Sequence, residues 1–122
     1  MELLFAAIVI VESGGDPSAY NKAEDSAGIV QIRPIMIEDV NRICKLKGDK
    51  RRFTLGDRWN IEKSRQMFTI YLDHYCKGMS LIDKARCWNG GPRGHKKDST
   101  LRYAAKVQKE LNKLRQAKVV AQ

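Results

Sequence analysis

The chain has 122 residues, 23 of them Lys or Arg against 14 Asp and Glu, for a net charge of +9 and an isoelectric point near 9.7. That length makes one domain whose core needs neither metal nor dense cross-linking, and no apolar run is long enough to span a bilayer. The charge implies a polyanionic partner (nucleic acid, an anionic cell-wall polymer or an acidic membrane surface) without choosing among them.

Leu3 to Val11 is an uncharged apolar run that reads as a buried helix, and Gly14-Gly15 supplies the left-handed positions that end one. It looks like the core of a signal peptide, but Glu2 stands where a basic segment belongs, and cleavage after the run would remove or expose Glu12. The run is therefore expected to belong to the fold, and no signal peptide is expected in this chain. Glu12 closes the run alone. At a helix C-terminus the macrodipole disfavours an anion, and apolar neighbours disfavour charge as well. Both push its pKa upward, as a general acid near neutral pH requires. An ordinary solvent-facing glutamate is the competing reading.

Asn21–Ala27 is turn-rich, and Gly28–Ile32 is a short apolar stretch expected to be irregular or strand-like. Pro34 can open a second helix at its first position, carrying Ile35, Met36, Val40 and Ile43. Gly48 to Thr54 reads as a basic loop. Asn60 is a plausible N-cap for a third helix in which Ile61, Met67, Phe68, Tyr71, Leu72 and Tyr75 recur at three- and four-residue steps, stopped by Gly78. Ser80 and Asp83 fit a capping box that starts a short helix reaching Trp88. Asn89 to Asp98 is a loop, and a long amphipathic helix runs from about Thr100 with Leu101, Ala104, Val107, Leu111 and Leu114 on one face. Its tail after about Gln116 is expected to fray. The sum is a mainly α, single compact domain over residues 1–122 with minimal strand content and no repeats or linkers.

Cys44, Cys76 and Cys87 form an odd set with no CxxC, and buried structural thiols are the favoured reading. With His74 and His95 far apart, neither a metal site nor a cofactor is expected.

Four pieces then occur in order: Glu12-Ser13-Gly14-Gly15 with Pro17, Gly28-Ile29-Val30-Gln31, Trp88-Asn89-Gly90-Gly91-Pro92, and Tyr103 with Val107. This order resembles the SLT-type lytic transglycosylases, a family with a lysozyme-like fold that cleaves peptidoglycan. Each piece alone is weak. All four in order, over about Ala6 to Val107, are fairly specific. Val30 stands where Met is usual and Trp88 where Tyr is common, and the basic segment Lys45 to Arg58 looks like a subgroup feature. The resemblance implies that Glu12 is the acid/base and that the Asn89-Gly90 turn lines the glycan cleft, with Trp88 more a core residue than a stacking platform. It also implies that Tyr103 reaches Glu12 by a phenolic hydrogen bond.

Ser13 can orient a carboxyl or a substrate group, or simply cap the helix. Gly28 would let backbone approach a sugar, beside Ile29 and Val30. Gln31 offers a donor and an acceptor to amides and hydroxyls, or else satisfies backbone in a tight segment.

A glycosidase normally needs a second carboxylate. Asp16 looks like a turn residue, Asp73 faces away, and Glu24 and Asp25 are expected to be solvent-exposed. Family members need none, because the muramyl 6-hydroxyl attacks its own anomeric carbon to give a 1,6-anhydro product, and one glutamate serves as acid and then base. The lack of a clear acid pair favours that route over a hydrolytic muramidase. A non-catalytic basic helical module binding nucleic acid or glycan is the other alternative, and it leaves Glu12 and the glycine-rich turns unexplained. The expected partner is thus peptidoglycan, with no nucleic acid and no stable membrane insertion. The protein is expected to act as a monomer at the bacterial wall, in the periplasm, outside the cell or from a phage.

Overall fold

The computed structural model describes residues 1–121, with side chains through Lys118. In chain order it comprises α1 (Glu2–Ser13), the hairpin β1 (Tyr20–Asn21) and β2 (Ser26–Ala27), α2 (Pro34–Leu46), a 3-10 turn at Leu55–Trp59, α3 (Ile61–Tyr75) and α4 (Leu81–Gly90). Two short 3-10 turns, Gly94–Lys96 and Asp98–Thr100, then lead into α5 (Leu101–Ala121).

The helix boundaries follow local chemistry. The α1 helix ends at Gly14, whose φ of 63° lets its N–H return to the Ile10 carbonyl. Pro34 occupies the first turn of α2. The Asn60 side chain accepts the Lys63 N–H at 2.8 Å, and Ser80 accepts from Asp83 at 3.1 Å. One cap was not foreseen: Thr54 and Asp57 form a reciprocal capping box around the 3-10 turn.

The remaining points concern extent. Gly28–Ile32 is a turn closed by an isolated Ala27–Ile32 bridge, and the strands lie just before it, with Tyr20 opposite Ala27 and Asn21 opposite Ser26. Only one side of α1 is fully covered: Leu4, Phe5, Ala7 and Ile8 are buried, whereas Ile10 is 41% exposed. Likewise Ile35, Ile61 and Leu101 lie in open solvent although they continue the apolar stripes of their helices. The last helix continues to Ala121, past the point near 116 where fraying is expected, and Gln122 lies outside the described residues.

α5 packs on α1 and α4, and α2 packs on α3. Phe68 of α3 meets Phe5 of α1 edge-on at 5.2 Å and Trp88 of α4 at 4.9 Å; Tyr71 adds a contact to Trp88 at 5.6 Å. Such pairs contribute about 1 kcal/mol each beyond the area they bury, so this cluster fixes α4 against α3. Arg58 is only 6% exposed, and its Nη1 donates to the carbonyls of Asp25 at 2.7 Å and Ile32 at 3.2 Å. It ties the hairpin to the root of α3. Asn41 of α2 closes the basic loop: its amide donates to the Phe53 carbonyl at 2.9 Å and accepts the Phe53 N–H at 2.8 Å. Among the described residues all three cysteines are free and buried, with Cys87 Sγ 3.4 Å from His95 Nδ1. None of the described residues forms a group of three or more metal-ligating side chains, and no helix is long and apolar enough to cross a membrane.

Candidate active site

Glu12, one residue before the end of α1, borders a polar hollow of about 180 Å³. The hairpin contributes Asn21, Glu24 and Ser26, the turn after it Gln31 and Arg33, and α4 contributes Trp88 and Asn89. Met36 and Arg33 also border a larger and more apolar groove of about 440 Å³ that runs past Arg42 and Tyr71 to Pro92. That groove also carries Glu38 and Asp39, the latter engaged by Arg42 and the Tyr75 hydroxyl. Glu12 is the carboxyl that burial sets apart, so the smaller hollow is the place for proton chemistry and the larger one extends it.

The Glu12 carboxyl is raised from its ordinary 4.5 to about 7. Burial is the largest cause, because taking the anion out of water disfavours the charged form; the negative charge of Glu24 comes next. The direction matches the expectation, and so does its main source, since burial among apolar neighbours was one of the two causes expected; the facing carboxylate of Glu24 is the addition. Trp88, Tyr103 and Arg33 pull the other way, each favouring the anion. Neither ring closes a hydrogen bond to Glu12. The Trp88 indole N–H is committed to the Val30 carbonyl at 3.2 Å, and the buried Tyr103 hydroxyl has no partner. The expected phenolic contact is present as proximity that falls short of strict hydrogen-bond geometry: burial, the charge of Glu12 and its carboxyl as a nearby acceptor together hold the Tyr103 proton well above its usual range.

The supporting residues act mainly on backbone. Ser13 Oγ donates to the Ile29 carbonyl at 2.7 Å and accepts the Gly15 N–H at 3.2 Å, which staples the end of α1 to the turn rather than orienting a carboxyl. Gln31 adopts φ 56°, and its amide donates to the carbonyls of Ala19 at 3.0 Å and Gly28 at 2.9 Å, so both its donors serve the fold. Gly28 is needed for a different reason from the one expected. At φ 85°, a Cβ there would lie 1.8 Å from the Arg58 carbonyl, so a close approach of protein backbone already requires the glycine.

Ile29 and Val30 are buried and do not line the hollow; their carbonyls accept from the Ser13 hydroxyl and the Trp88 indole N–H. Trp88 is 4% exposed and packs in the aromatic cluster. Asn89 is exposed at the rim, but it and Gly90 form the last turn of α4 rather than a loop. Gly90 is small for packing, since a Cβ would sit 2.5 Å from Thr100 Cγ2, and only Gly91 has positive φ.

Glu24 was expected in solvent; it is exposed, yet it lines the same hollow as Glu12. The expected lack of an acid pair is therefore corrected: two carboxylates line this hollow. Asn21, Ser26 and Arg33 went unread in the sequence, and Met36 was read only as part of the apolar stripe of the second helix; for Asn21 and Ser26 a signal existed. The available signal was a run of polar residues in the turn-rich segment between the first two motif pieces. Asp25 and Asp16 are spent on turns, the first accepting from Tyr20 at 2.8 Å and Arg58 at 3.3 Å, the second from Ser18. Asp73 borders a separate hollow on α3.

The family description "Transglycosylase SLT domain" matches residues 1–111. Among solved structures, a chain of the crystal structure of Aeromonas hydrophila PliI in complex with Meretrix lusoria lysozyme superposes with a TM-score of 0.73 at 26% identity. The match covers 89% of this chain and 88% of that one. None of the curated proteins is a significant match.

Proposed function

The chain belongs to the SLT transglycosylase domain family, and from that premise we propose that it cleaves the β-1,4 bond between N-acetylmuramic acid and N-acetylglucosamine with Glu12 as proton donor. The lysozyme-like fold fits this chemistry. A glycosidic oxygen is a poor leaving group and must be protonated while positive charge develops on the sugar ring. A carboxyl that titrates at about 7 beside an open polar hollow is the observation that carries the reading, since it keeps a proton to give at neutral pH.

In this reading the muramyl 6-hydroxyl closes on the anomeric carbon, and Glu12, now an anion, takes the hydroxyl proton. The product is a 1,6-anhydromuramyl end. Effective molarity favours this intramolecular nucleophile. Ser13 and Gln31 act as positioning residues that hold the turn facing Glu12, Trp88 walls the cleft, and Asn89 offers its amide at the rim. Tyr103 eases formation of the Glu12 anion that the second half of the reaction requires. The net charge of +9 would draw the protein toward anionic wall polymers, an attraction that salt screens. The site of action is then the bacterial cell wall. A passive cationic binder would have no use for a half-protonated carboxyl beside a cleft.

Release of soluble fragments from purified sacculi tests the proposal. Glu12→Gln should abolish release while its circular dichroism stays that of the parent. Retained lysis by the variant would remove Glu12 from its role.

A further inference from the structure

Glu24 sits in the tight turn between β1 and β2, and nothing in the anhydro route gives it work. A substrate hydroxyl brings its own nucleophile, and the glutamate that has just lost a proton can accept the next one. Yet the turn holds Glu24 with some care. Asn21 Oδ1 accepts the Ala23 N–H at 3.0 Å, which fixes the turn on one side. Ser26, only 3% exposed, donates its hydroxyl to Glu24 Oε2 at 3.2 Å. On the other side Asp25 is held in a left-handed conformation by the Tyr20 hydroxyl and the buried Arg58 guanidinium. Among the described residues no hydrogen bond engages the second Glu24 oxygen, and the side chain borders the hollow that Glu12 borders.

We propose that Glu24 is a second catalytic carboxylate that activates water, giving this cleft a hydrolytic activity beside the anhydro-forming one. The proposal rests on Glu12 being the proton donor. Direct attack by water on a glycosyl carbon calls for two carboxyl groups in opposite states, one neutral to protonate the leaving oxygen and one charged to take the proton of water. The pair here is biased that way, since the charge of Glu24 helps to keep Glu12 protonated. In the step, the water oxygen bonds to the muramyl anomeric carbon and its proton passes to Glu24. The bond from that carbon to the glucosamine oxygen breaks with its electron pair on oxygen, and that oxygen takes the proton from Glu12. Solvent then carries the proton of Glu24 back to Glu12. The products are a reducing muramyl end and a free glucosamine hydroxyl, and water is the only co-reactant.

The two outcomes differ in mass by one water, so mass spectrometry of sacculus digests separates them. The wild type should release both reducing and anhydro muramyl ends. Glu24→Gln should lower the reducing fraction by about 10²-fold, the scale of a lost general base, while anhydro ends continue to form with their alkaline limit moved to lower pH, because the charge that helps to keep Glu12 protonated is gone. Glu24→Asp, which keeps the carboxylate, should restore part of the reducing fraction. Anhydro ends alone from the wild type would overturn the assignment, and so would an unchanged ratio in Glu24→Gln or equal loss of both products. Cleavage that persists in Glu12→Gln would instead overturn the reading beneath it. An inactive Glu12→Gln together with an unmoved ratio in Glu24→Gln removes only the role of Glu24.

Discussion

Replacing Glu12 with glutamine should stabilise the fold, and by an amount that depends on pH. The folded carboxyl holds its proton up to about 7, against 4.5 ordinarily. Below pH 4.5 both folded and unfolded chains are protonated, and the residue carries no electrostatic penalty. As the pH rises from 4.5 to about 7 the unfolded chain has released its proton while the folded chain still holds one, so stability falls with pH. At about 1.4 kcal/mol per pH unit the loss is complete just above pH 7 and amounts to roughly 3 kcal/mol. Glutamine has nearly the same shape and never ionises. Urea denaturation should therefore place Glu12→Gln about 3 kcal/mol above the parent at pH 8 and within about 1 kcal/mol of it at pH 5. The expected sign is unusual for a polar replacement at a functional position. An equal gap at both pH values would show that the carboxyl is not held protonated by its surroundings, and the account of the acid would fail with it.

Tyr103→Phe removes a buried hydroxyl without a partner and should stabilise the fold by about 1 kcal/mol. That hydroxyl favours the Glu12 anion, so the variant should also move the alkaline fall in cleavage rate, expected above about pH 7, to higher pH. Gly28→Ala puts a methyl into the Arg58 carbonyl at positive φ and should cost roughly 3 kcal/mol or more in thermal or urea unfolding. Arg58→Met strands the carbonyls of Asp25 and Ile32 and should cost about 3 kcal/mol. Because the hairpin is released, reducing ends should drop more than anhydro ends in sacculus digests.

The helical frame was readable because its signals are local. Gly14, Pro34, Asn60 and Ser80 each cap or open a helix through atoms within four residues, so the sequence neighbourhood contains the whole argument. Glu12 was readable for a similar reason, since a charge that ends an apolar run is conspicuous in one dimension. What escaped was made by distant partners. Arg58 looks like one more surface cation in a basic stretch, and nothing near it shows that Asp25 and Ile32 will spend their carbonyls on it. Gly28 stands out in a motif, but its strongest reason cannot be read there, because the atom that excludes a side chain belongs to a residue thirty positions on. Gln31 and Ser13 share that pattern: a motif identifies the residue, and the contacts decide that it serves the backbone. Glu24 was discounted because a carboxylate in a polar turn has no pattern that tells a cleft from open water.

Phe53 has both its backbone groups satisfied by the Asn41 amide, as a neighbouring strand would satisfy them. The cation-rich crown between Leu46 and Arg52 thus hangs from a neck that the Asn41 amide closes, away from the residues that line the hollow at Glu12. Length and charge in that crown should therefore tolerate change while the walls of the hollow stay in place. Surface charge and the setting of Glu12 are carried by separate parts of a small chain.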